Sequence, residues 1–274
     1  MRKSTEAFLD MPDSKQVQPI YFVGGAPRSG TTVTHALICT SERVSNYHPE
    51  ISFIRPTFEA YAQGNINWAA HTNAFFAERA HFRHHMHDIV MRQLNHVALT
   101  LNNPEILCVK DPLLSQRFYW VNDLLREKAR FVTVIRNPHK VVRSRQAVAE
   151  KMGRTFAMGD VERVAQEFNR SYAHIDLPQM AGTLLCFRYE DLMTDKALES
   201  LRSFIGTADI DPDRIWSGKK SATKVDASDP WFSPKYNQSI DTRDRLGPLS
   251  PEFSAVVDKI CKPLMTRFDY QNGG

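Results

Sequence analysis

The chain has 274 residues, 42% of them hydrophobic, and its 35 Lys and Arg outnumber its 31 Asp and Glu for a net charge of +4. That supports one full α/β core in a single domain over 1–274, and it is too little positive charge for a long nucleic-acid footprint, so no nucleic-acid partner is expected. No run reaches membrane-span length and the first ten residues lack a signal-peptide core, while Cys39, Cys108, Cys186 and Cys261 fit neither a zinc pattern nor a disulfide framework. A cytoplasmic protein with its thiols as small core residues is the expectation.

In chain order, a strand predicted over 19–24 runs into Gly24-Gly25-Ala26-Pro27-Arg28-Ser29-Gly30-Thr31-Thr32 and a helix over 30–41. A Gly-rich turn between strand and helix gathers backbone N–H groups on one point and aims the positive end of the helix there, which suits a phosphate. The spacing Gly25-x-x-x-x-Gly30 is that of a nucleotide-triphosphate loop, but Thr31 stands where its Lys is expected, and Arg28 lies in mid-loop. A planar guanidinium grips one phosphate as a fork, so the loop points to a nucleotide other than ATP or GTP. Ser29, Thr31 and Thr32 suit both helix capping and phosphate contact, because the two roles use the same N–H groups.

His48-Pro49-Glu50 precedes a long insertion, 52–103, that reads mainly as helix and is placed on the acceptor side. Its Tyr61, Trp68, Phe75, Phe76 and Phe82 suit stacking on a sugar or aromatic ring, or core packing. His81, His84, His85, His87 and His96 crowd one helix, and His81 and His85 have metal-pair spacing. No His-Glu-x-x-His pattern accompanies them, so they read as a solvated basic face and no metal site is assigned. A strand over 106–110 ends at Lys110, before Asp111-Pro112 and a helix over 113–127. A strand over 130–135 ends at Arg136, and Pro138 opens a helix over 138–150 that carries Ser144. Arg136 and Ser144 are both placed to reach one anionic group. A strand over 183–187 leads to Arg188-Tyr189-Glu190-Asp191-Leu192 and a helix over 195–206. The alternation predicts a P-loop-type parallel sheet flanked by helices, with ligands at the carboxyl ends of its strands. The segment 217–247, rich in Ser, Asp, Lys and Pro, reads as a lid or surface loop.

The pair Pro27-Arg28-Ser29-Gly30-Thr31-Thr32 and Arg136-Asn137-Pro138, with Ser144 eight residues after that Arg, resembles the two nucleotide-binding segments of sulfotransferases that use 3′-phosphoadenosine 5′-phosphosulfate (PAPS). Lys110-Asp111-Pro112 is similar to the Lys-Asp-Pro of the tyrosylprotein sulfotransferases and their bacterial relatives. Arg188-Tyr189-Glu190-Asp191-Leu192 resembles a further family segment. The resemblance implies that Arg28, Ser29, Gly30, Thr31 and Thr32 hold the 5′-phosphosulfate, that Arg136 and Ser144 hold the 3′-phosphate, and that Tyr189 lies near the adenine. It also implies that Lys110 and Arg28 stabilise the leaving group and that Glu50 is the base. His48 is the second candidate base, on its intrinsic pKa. PAPS is then a co-substrate that leaves as adenosine 3′,5′-bisphosphate, no metal takes part, and the acceptor is a hydroxyl. A carbohydrate or small molecule is the first choice of acceptor and a peptide tyrosine the second. A P-loop kinase or NTPase, with Asp111 as its nearest metal ligand, and a non-catalytic nucleotide-binding module are the alternatives.

Overall fold

In the computed structural model, which describes residues 19–215 and 246–271, four apolar segments form strands: β1 (Ile20–Gly24), β2 (Leu107–Lys110), β3 (Ala129–Ile135) and β4 (Leu184–Arg188). They pair in the order β2-β1-β3-β4, and every pairing is parallel. Because the chain steps from β1 to β2 on one side and then to β3 on the other, a crevice opens at the carboxyl end of β1.

Alternation along the strands assigns the layers. Phe22, Leu107, Val109 and Phe131 face α2 (Arg55–Ile66), α3 (Arg79–Thr100) and α4 (Phe118–Leu125). Tyr21, Val23, Cys108, Val132 and Val134 face the other way, onto α1 (Thr31–Ile38) and α7 (Asp195–Ile205). A third cluster joins α5 (Pro138–Lys151), α6 (Met158–Ser171) and α8 (Pro251–Arg267) around Ala26 and Ile135, beside the carboxyl edge of the sheet.

The predicted α/β architecture and all four strands are present, and the insertion 52–103 forms α2 and α3. The helix expected over 113–127 is shorter. Asp111 accepts the Leu113 N–H and tightens 112–117 into 3₁₀ turns before α4 begins. Two further helices lie outside the sequence expectation. In α6 the signal was present as Val161, Val164, Ala165 and Phe168 on one face. In α8, Pro263 sits inside the helix, where a proline reads as a breaker. The segment 217–247, with Lys219, Lys220, Lys224, Lys235 and Arg243, lies outside the described residues except for its last two. No helix among the described residues is long and apolar enough to cross a membrane. Cys39, Cys108 and Cys261 are buried, Cys186 is half-buried, and none forms a disulfide.

One buried phenol ties the third cluster to the sheet edge. Tyr172 Oη accepts the Ala26 N–H at 3.0 Å and donates to the Val134 carbonyl at 3.0 Å. Replacing Tyr172 with Phe strands both backbone groups in a buried position. The Tyr172→Phe variant should lose ~1–3 kcal/mol of stability, read as a lower urea midpoint at an unchanged m-value. An unchanged midpoint would show that the loop is held without the phenol.

Candidate active site

The loop after β1 has the backbone of a tight anion cradle. Gly25 and Gly30 have φ of 141° and 104°, and Arg28 itself is left-handed at 77°. A Cβ on Gly30 would lie 2.2 Å from the ring of Tyr189, so that position excludes every side chain on both counts. Gly30 caps α1 with no side-chain hydrogen bond, and the first turn carries no acidic residue. The first N–H groups of α1 therefore point out of the loop with the helix dipole behind them. Ser29 is turned inward. It is fully buried, and its N–H closes the turn on the Ala26 carbonyl at 3.0 Å.

Lys110, at the end of β2, is 4% exposed. Its ammonium group donates to Thr32 Oγ1 at 3.0 Å and to Glu50 Oε1 at 3.1 Å. Burial lowers its pKa from the ordinary lysine value, and the Glu50 carboxylate opposes that shift. The Glu50 side chain is 45% exposed, so the far end of this chain of contacts is open to solvent. Sequence reasoning thus placed Thr32, Lys110 and Glu50 in one site, and the structure brings them into direct contact.

Asp111 is spent differently. Its Oδ1 accepts the Leu113 N–H at 3.0 Å and faces Arg55 Nη1 at 3.4 Å, with the side chain 1% exposed. Burial raises its pKa, against the opposing effect of Arg55. The carboxylate that a kinase reading would use is a buried turn cap.

His48 is also turned away. Its Nε2 lies 3.0 Å from the Cys108 carbonyl and its Nδ1 2.7 Å from that of Pro49, and its ring packs edge-on against His35. Burial, followed by the neighbouring His35, pushes its pKa down to about 4, and this outweighs the two carbonyl contacts, which favour the protonated ring.

The residues expected to hold a second anion come together from three elements. Arg28 Nε donates to Ser144 Oγ at 3.0 Å, which joins the loop to α5. Arg136, just past β3, lays its guanidinium over the Tyr189 ring at 4.9 Å and reaches toward the Arg28 carbonyl. Its Nε is buried without a hydrogen-bond partner. An unpaired N–H there is what an arriving oxyanion would satisfy. Arg143 and Arg145, flanking Ser144, face Glu150 and Glu167. Two residues that sequence reasoning missed set this corner: Tyr270 donates to Glu190 at 2.9 Å, and Glu190 accepts the Asn137 N–H at 3.2 Å.

Of the insertion aromatics, Tyr61 and Phe82 are core, and Trp68 and Phe76 pack against it. Phe75 is 82% exposed, as is Phe53 to 59% in the turn after Glu50. His81, His84, His85 and His96 are exposed on α3, while His84 and His87 approach Asp88. The cysteines depart from expectation in one respect. Cys39 and Cys108, 69 positions apart in the chain, meet beside His35, and the three offer ligand atoms within 4.8 Å of one another.

The profile of the Sulfotransferase family matches residues 19–212, well over half of the chain. No curated protein sequence matches it. Among solved structures it is similar to the sulfotransferase domain from the Synechococcus PCC 7002 olefin synthase, with a TM-score of 0.54 and 17% identity over 92% of this chain and 96% of that one. It is likewise similar to the sulfotransferase domain from the curacin biosynthetic pathway, with a TM-score of 0.51 and 17% identity over 93% and 99% of the two chains. Sulfotransferase STF9 from Mycobacterium avium gives a TM-score of 0.52 at 12% identity, over 94% of this chain and 79% of that one. At such identities the shared feature is the fold.

The depressed His48 fixes a pH dependence. A histidine held neutral in the folded state contributes stability that is complete above its ordinary pKa of 6.5 and is lost as pH falls through about 4. Between those values stability should fall by up to ~1.4 kcal/mol per pH unit for this group. His174, also pushed by burial to about 4, acts in the same direction. Urea midpoints measured across this window should drop more steeply for the native chain than for His48→Gln. Parallel slopes would show that His48 is protonated in the fold.

Proposed function

The chain belongs to the sulfotransferase family, and on that footing we propose that it moves the sulfuryl group of PAPS to a hydroxyl acceptor by in-line displacement. The observation that carries this reading is the Thr32–Lys110–Glu50 chain. It links the anion loop, a buried cation and a solvent-facing carboxylate within hydrogen-bond distance.

In this reading the acceptor oxygen attacks sulfur opposite the bridging oxygen, and its proton passes to the Glu50 carboxylate. The bond from sulfur to the bridging oxygen breaks, and the electron pair remains on the 5′-phosphate of adenosine 3′,5′-bisphosphate. Lys110 and the first N–H groups of α1 stabilise that growing charge, as fixed donors do in phosphoryl transfer. They replace the charge neutralisation that a magnesium ion supplies in kinases, so turnover is expected without added magnesium. Glu50 is preferred to His48 as base because the imidazole is buried against carbonyl oxygens and its pKa is pushed down to about 4.

The 3′-phosphate is assigned to Arg136 and Ser144. Arg28, held on Ser144 through Nε, keeps its two terminal amino groups for a phosphate; among the described residues neither has a hydrogen-bond partner. Tyr189, packed on Gly30 and under Arg136, supplies an aromatic wall for the adenine. The exposed rings of Phe53 and Phe75 favour an acceptor with an apolar or sugar face, so a carbohydrate or small-molecule hydroxyl comes before a peptide tyrosine.

Two variants test the assignment. Arg136→Ala should weaken PAPS binding by roughly 10- to 150-fold, the worth of one charge-assisted contact. It should leave adenosine 5′-phosphosulfate, which lacks the 3′-phosphate, almost unaffected. A mutant that still discriminates between the two nucleotides as the native chain does would remove Arg136 from this role. Glu50→Gln should fold, bind adenosine 3′,5′-bisphosphate, and lose ~10²–10⁴ in sulfate transfer measured across a panel of sugars, phenols and peptides. Full transfer by Glu50→Gln alongside an inactive His48→Gln would hand the base role to the histidine.

A further inference from the structure

Beneath the Thr32–Lys110 contact, the same two elements meet a second time. Cys108 lies two residues before Lys110 on β2 and so shares its face, and His35 and Cys39 follow Thr32 along α1. A ring nitrogen of His35 and the sulfurs of Cys39 and Cys108 lie within 4.8 Å of one another, and none of the three residues is more than 3% exposed. We propose that His35, Cys39 and Cys108 form a site for one thiophilic divalent cation of the zinc class.

Three observations carry this. His35 Nε2 stands 3.0 Å from the Cys108 carbonyl oxygen, which can only accept, so Nε2 holds the proton and donates it. Nδ1 is then left as a bare lone pair, buried and without a hydrogen-bond partner. A ligating imidazole characteristically donates its other N–H to a backbone carbonyl, which fixes the tautomer that the metal needs. His139 and His174 also keep a buried Nδ1 without a partner, but among the described residues only His35 has two thiols beside it in one cluster.

The donor set also fits the charge. Two thiolates and a neutral imidazole around a dication sum to zero, so the loaded site carries no net charge into the core. Soft sulfur ligands with no carboxylate select zinc or cadmium over magnesium or calcium. Sulfurs on a tetrahedral zinc stand about 3.8 Å apart, so modest side-chain rotation closes the cluster on the ion. Loading releases the two thiol protons. An ion there staples α1 to β2, one helical turn below the residues that face the nucleotide.

The test is titration of the reduced, untagged full chain with cadmium chloride, then with zinc chloride. One cadmium ion per chain should bring a thiolate-to-metal charge-transfer band, release two protons and raise the melting temperature. Cys39→Ser and Cys108→Ser should each abolish the band, while Cys186→Ser and Cys261→Ser retain it. X-ray absorption at the zinc edge of the unmutated chain covers the case in which a variant fails to fold, and two sulfurs with one nitrogen is the expected shell. A shell of nitrogen and oxygen alone, as the exposed histidines of α3 would give, overturns the proposal. So does a band that survives in both Cys39→Ser and Cys108→Ser.

Discussion

An ammonium group withdrawn from water is costly unless it is met by opposite charge and hydrogen bonds, and Lys110 is met on two sides. Glu50 supplies the charge and Thr32 a second acceptor, while the aliphatic stem is enclosed in the fold. The position of the lysine follows from β2 as the edge strand beside β1, which brings its carboxyl end next to the anion loop. Removing either partner leaves a buried cation under-satisfied. The contact thereby constrains the loop helix, the strand end and the segment bearing Glu50 at once. Because Glu50 is half open to solvent and Lys110 is not, the pair has a direction: charge is fixed on the inner side and protons can exchange on the outer.

Around that contact the site is held from behind. The first N–H groups of α1 carry no side-chain cap, so the packing of the loop before them comes from elsewhere. Tyr172 does this with one phenol that accepts from Ala26 and donates to Val134. Tyr270 does the equivalent for the other corner, where Glu190 receives both the phenol and the Asn137 N–H, and the Arg188 guanidinium lies over the Tyr270 ring at 4.8 Å. Both tyrosines come from the helical cluster of α6 and α8, whose contribution to the site is rigidity. Arg136 and Arg28 then project from supported backbone.

The layer of α2 and α3 is built on a different principle. Most aromatic residues of 52–103 are consumed in packing α2 and α3 onto the sheet, and Tyr61 spends its hydroxyl on Asp123. Phe53 and Phe75 are left exposed. The corner around Arg28 and Arg136 is thus fixed by charged and hydrogen-bonded groups, whereas this layer is held by apolar packing.

What the sequence by itself determined is local. Apolar runs of four to seven residues named all four strands, and glycines with a following Thr-Thr named the loop. Arg136, Lys110 and Tyr189 were legible because each ends or follows a strand, and parallel strands deliver their carboxyl ends to one edge. The tertiary structure decided everything that depends on residues distant in the chain. It buried His48 and left Glu50 half open to solvent, although only Pro49 separates them. It turned Ser29 inward, spent Asp111 on a cap, and placed Cys39 against Cys108 through the docking of α1 on β2. It recruited Tyr172 and Tyr270 from just beyond the ends of α6 and α8, where no motif marks them. Chemistry written in backbone geometry has a period and a composition that sequence carries. Burial, and the pairing of side chains across elements, are properties of packing, and they exist only once the layers have closed.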